Sequence, residues 1–81
     1  MKITVRFFAL LRDRAGVSHA EISLGDGDSV RRAVDLVGQL YPGLTPLLPR
    51  VACAVNQAYV EPAALLHDGD ELALIPPVSG G

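Results

Sequence analysis

The sequence predicts an α+β fold, a mixed sheet of four to five strands packed on one main helix. Three observations carry this. Residues 2–8 and 72–75 alternate in side-chain character, the period of a strand with one buried face. Residues 30–41 alone repeat apolar side chains at three- and four-residue steps over a length able to cover a sheet. The remaining strand-like runs are short and bounded by Gly, Pro, Asn and Asp, which mark turns.

In the first strand Ile3, Val5 and Phe7 share one face, and Lys2, Thr4, Arg6 and Phe8 the other. Phe8 is a large aromatic on the face its neighbours mark as wet. Either the strand ends there and Phe8 tucks under a loop, or the ring faces a partner, since aromatics are enriched in interfaces. Residues 9–15 suit a short helical turn stopped by Gly16. A second strand around residues 20–24 turns Ile22 and Leu24 inward. Residues 25–29 form a turn in which Asp28 or Ser29 caps the following helix. Asp26 and Asp28 lack the remainder of a calcium loop, so turn and cap chemistry accounts for them.

The helix carries Val30, Ala33, Val34, Val37, Leu40 and Tyr41 along one stripe and ends at Pro42-Gly43. Residues 44–50, with three leucines and two prolines, form an ordered, partly buried connector. Val51, Cys53 and Val55 then alternate in a strand, and Asn56-Gln57 turns into a short strand at residues 58–60. A lone cysteine among valines reads as a small buried hydrophobe. Residues 61–66 make a brief turn of helix or coil. His67 to Glu71 turn the chain into the last strand, where Leu72 and Leu74 face one way and Ala73 and Ile75 the other. An Asp-Gly turn explains the His67-Asp68 pair better than metal binding does, and His19 reads as a surface residue.

Pro76 and Pro77 cannot donate to a ladder, so the body spans residues 1–75 and an arm spans residues 76–81, ending in Gly-Gly. Two prolines favour an extended path, and six extended residues reach about 20 Å. A terminal diglycine threads a channel too narrow for any Cβ. Gly-Gly alone also suits a frayed end; the strand and double proline before it favour an arm with a purpose.

The 81 residues make one domain, and a 49% hydrophobic content suffices for one small core. No apolar run approaches the ~20 residues of a membrane span, and no leader precedes the first strand, which points to a cytoplasmic protein. A net charge of −2 gives no basic footprint for nucleic acid. One cysteine excludes an internal disulfide and a cysteine-rich zinc site, and no metal site is expected.

Four segments spread over the chain carry a resemblance: Phe7-Phe8-Ala9 with Leu11-Arg12, Ala54-Val55-Asn56-Gln57, Asp68-Gly69-Asp70-Glu71, and Pro76-Pro77-Val78-Ser79-Gly80-Gly81. In these the chain resembles the small, sulfur-carrying subunits of molybdopterin synthase, relatives of ubiquitin with a β-grasp fold. Residues 44–49 match nothing in that pattern, and Ile75 stands where some relatives carry an aromatic.

The resemblance implies a non-catalytic subunit of a sulfurtransferase complex that binds no cofactor of its own. An E1-like adenylyltransferase would use ATP to adenylate the Gly81 carboxylate, and a sulfur donor system would convert it to a thiocarboxylate. Pro76, Pro77, Val78, Ser79 and Gly80 would lie in a partner's tunnel. Phe8, Arg12 and Ile75 would meet the large synthase subunit in a heterotetramer, and sulfur would pass to cyclic pyranopterin monophosphate. Rival readings are a carrier for thiazole synthesis, tRNA thiolation or cysteine synthesis, a ubiquitin-like modifier of lysines, and a binding module with an inert tail.

Overall fold

The computed structural model describes residues 1–77. Its elements are β1 (Lys2–Phe7), α1 (Ala9–Ala15), β2 (His19–Ser23), α2 (Val30–Leu40), β3 (Ala52–Val55), β4 (Ala58–Val60) and β5 (Glu71–Ile75), with 3-10 turns at Pro42–Leu44 and Leu48–Arg50. The strands form one five-stranded sheet in the order β2-β1-β5-β3-β4. Both ends of the described chain therefore meet in its centre. β1 and β5 run parallel, with Val5 opposite Leu72 and Phe7 opposite Leu74. A parallel pair needs a long crossover, and α2 lies within it. The other neighbours are antiparallel. This is the expected β-grasp arrangement.

Alternation decides which face is buried. Ile3, Val5 and Phe7 of β1, Ile22 of β2, and Leu72 and Leu74 of β5 are at most 4% exposed. They pack against Val30, Ala33 and Val37, which share one side of α2 and are fully buried. At ~25 cal/mol per Å2 of apolar area, this layer is the main source of stability.

The start of α2 is closed by side chain and loop together. The Ser29 hydroxyl accepts from the Arg32 N–H at 3.3 Å. The N–H groups of Val30 and Arg31 donate to the carbonyls of Ala64 and Pro62, each at 2.9 Å. Residues 61–66 thus satisfy amides that a helix start leaves without intrahelical partners.

Leu40 departs from the stripe read in the sequence: it is 55% exposed. The helix stops at that residue, and the chain folds back through Pro42–Leu44. The core beyond Val37 is filled instead by fully buried Leu44 and by Tyr41, whose ring meets Phe7 edge-on at 5.4 Å. In the β3–β4 hairpin, Asn56 and Gln57 have φ of 50° and 73°, the two left-handed positions of a type I′ turn.

Candidate functional site

Helix α2 covers one face of the sheet; among the described residues the other is open, and Pro76 and Pro77 follow the end of β5. On that open face the registers place His19, Arg6, Ala73, Ala54 and Tyr59 in one row across the strands. A groove of about 310 Å3 follows the centre. Ala54 and Ala73 floor it, Arg6 and Phe8 wall one side, and Gln57 and Tyr59 wall the other. Glu71 and Ile75 complete the lining. Small floor residues between long ones make the concavity, and Ala54 is only 5% exposed although it points outward.

Phe8 reaches this groove for a local reason. It follows β1 in an extended conformation, φ −121° and ψ 151°, so it continues the outward alternation. Ala9 then takes φ 50°, a left-handed conformation unfavourable for a residue with a Cβ. That bend starts α1, which is anchored by fully buried Leu11. The Phe8 ring is left 39% exposed, and the Arg6 guanidinium carbon lies over it, 5.7 Å from the centroid. Since Phe7 pairs with Leu74, Phe8 stands next to Ile75, the last residue of the body. Pro76 is half-buried and Pro77 exposed. The site residues Val78, Ser79, Gly80 and Gly81 lie outside the described residues. Arg12 is exposed on α1 and is not among the groove-lining residues.

A polar knot holds the opposite end of β5. The Asn56 amide donates to Asp70 Oδ1 at 2.9 Å and accepts from the Glu71 N–H at 3.0 Å. Asp70 Oδ2 accepts from the His67 N–H at 2.8 Å. The His67 N–H and the Asn56 amide hold the Asp70 carboxyl below the usual carboxylate range. The cluster joins the β3–β4 turn to the strand that leads to the arm.

The groove offers an aromatic and aliphatic surface for contact. Its ionisable lining residues among the described residues, Arg6, Glu71 and Tyr59, stand beside apolar neighbours. Cys53 is on the inner face, where burial pushes its thiol pKa up and keeps it neutral. A larger cavity of about 510 Å3 lies on the helical side, between α2 and the connector, away from the root of the arm. Sequence reasoning singled out Phe8 and Ile75 but passed over Arg6, Gln57, Ala54, Ala73 and Tyr59. Tyr59 carried a usable signal, a large aromatic between two smaller residues on a short strand; it is 74% exposed.

Similarity to known proteins agrees with this geometry. The chain is 40% identical to the molybdopterin synthase sulfur carrier subunit of Chlamydomonas reinhardtii, and the match covers 100% of both chains. Among solved structures it is similar to SAMP1 from Haloferax volcanii, with a TM-score of 0.90, 26% identity and 100% of both chains covered. It is also similar to a chain in the complex of subunits 1 and 2 of the molybdopterin-converting factor from Helicobacter pylori 26695, with a TM-score of 0.72, 29% identity and 100% of both chains covered. The ThiS family matches residues 5–81, the open sheet face and the diglycine end included, and the chain belongs to that family.

Proposed function

We propose that this chain is the sulfur carrier subunit of a molybdopterin synthase, and that its cargo is a thiocarboxylate on Gly81. One observation carries the reading most directly: the parallel pairing of β1 with β5 sets Phe8 beside Ile75, so an aromatic docking groove sits where the arm begins. A partner that grips the groove also fixes the root of the arm at Ile75 and Pro76.

The chemistry runs in two stages. A carboxylate is a poor acyl donor, so an E1-like adenylyltransferase first joins the Gly81 carboxylate oxygen to the α-phosphate of ATP, and pyrophosphate leaves. A sulfur donor system then displaces AMP from the acyl carbon, leaving the thiocarboxylate. In the second stage the arm enters the large synthase subunit, with Pro76, Pro77, Val78, Ser79 and Gly80 along its path. There the terminal sulfur attacks a side-chain carbon of cyclic pyranopterin monophosphate and displaces the oxygen bonded to it, which leaves a carbon–sulfur bond and a thioester to the Gly81 acyl group. After hydrolysis of the acyl–sulfur bond, sulfur stays with the pterin and Gly81 returns as a carboxylate. The chain acts as a shuttled nucleophile, activated on one protein and used on another. Phe8, Ile75 and Tyr59 provide the grip, and Arg12 on α1 offers a further contact to a partner.

The test is the intact mass of the protein isolated from its own cells. Exchange of one terminal oxygen for sulfur is expected. An isopeptide bond to lysine would instead mark a modifier, and an unaltered Gly81 in every growth condition would reject the carrier reading.

A further inference from the structure

We infer that the partner surface closing over the sheet groove presents a carboxylate to Arg6, which makes Arg6 a specificity-determining residue of this docking face. The inference rests on the carrier reading above and deepens it. Arg6 is 49% exposed, on the wall of a groove otherwise formed largely by Phe8, Ile75, Tyr59 and two alanines. Its guanidinium is permanently charged and carries five N–H donors in one plane. Its ionic contact among the described residues, Nη1 to Glu71 Oε2, is 3.8 Å long, beyond hydrogen-bond distance. About half of the side chain is open to solvent among the described residues.

A partner that packs on Phe8, Ile75 and Tyr59 displaces that solvent. A charge stripped of water with no acceptor is strongly unfavourable. Glu71, itself 40% exposed, lies too far away to take over as it stands. The acceptor therefore comes from the partner. The guanidinium carbon lies over the Phe8 ring, 5.7 Å from its centroid, and the N–H donors of the fork fit a planar acceptor. A carboxylate meets that fork with two parallel hydrogen bonds and opposite charge.

The test is calorimetric titration of the full chain with the large synthase subunit of the same organism, at several salt concentrations. Arg6→Gln is expected to weaken binding by about tenfold and to flatten its dependence on salt. Arg6→Lys, which keeps the charge without the fork, falls between. Glu71→Gln is expected to tighten binding by about two- to threefold, because it removes a competitor for Arg6. Thermal unfolding of each variant shows that the fold is kept. Unchanged affinity in Arg6→Gln overturns the inference, as does a salt dependence equal to that of the unsubstituted chain. Equal weakening by Arg6→Gln and Glu71→Gln also overturns it, since Arg6 would then serve only to hold Phe8 within its own chain. Failure of the unsubstituted chain to bind the large subunit is a separate result and removes the carrier reading itself.

Discussion

Phe8 and Asp70 sit near opposite ends of β5 and do opposite things. Phe8 leaves an aromatic ring in water, held by an extended backbone on one side and left-handed Ala9 on the other. Such a ring costs little to keep in place and yields its energy when a partner covers it. Phe8→Ala is expected to weaken binding of the large subunit by about 1–3 kcal/mol, measured by titration, with the melting temperature little changed. Asp70 instead ties the chain to itself. Its folded pKa lies below the ordinary value of about 3.9 because the His67 N–H and the Asn56 amide favour the carboxylate. The stabilisation is thus full above the unfolded pKa and is lost as pH falls through the folded one. In Asp70→Asn, stability at neutral pH should drop. The gap from the unsubstituted chain should narrow in acid below the ordinary carboxylate pKa, as followed by denaturant unfolding at a series of pH values.

At the scale of elements, the β3–β4 turn offers a direct check on backbone energetics. Gln57 occupies a left-handed position that glycine takes more readily. Gln57→Gly should stabilise the domain by about 0.5–1 kcal/mol in thermal unfolding, the relief of the strain less the added freedom of the unfolded chain. How much the sequence discloses also differs by element. β1, β5 and the start of α2 are legible because their cues are local: alternation for the strands, Ser29 before an apolar stripe for the helix. Leu40 misleads because the stripe continues by periodicity while the helix does not, and Leu44 fills the space instead. The two 3-10 turns of the connector are hidden among prolines that signal only that no α-helix runs there. The docking groove is half legible. Phe8 and Ile75 stand out as apolar residues on a wet face, but Arg6, Ala54, Ala73 and Tyr59 join them only through pairings between strands far apart in the chain. No window of neighbouring residues contains that information.

For the whole molecule, the sheet divides labour between its faces. One buries the core under α2, and among the described residues the other is left open. Body and arm should therefore be separable by substitution. Adding one residue after Gly81 is expected to abolish sulfur transfer in a reconstituted synthase assay, while thermal unfolding stays where it was. Transfer at the normal rate by the extended chain would exclude a terminal thiocarboxylate as the sulfur source.

The central place of β5 has a further consequence, during synthesis. β5 is made after the other four strands, and its neighbours β1 and β3 have no partner between them until it arrives. Contacts this distant in sequence form late, so the sheet closes only once β5 has been made. A product that stops short of β5 lacks the middle strand of its sheet and remains a substrate for proteases.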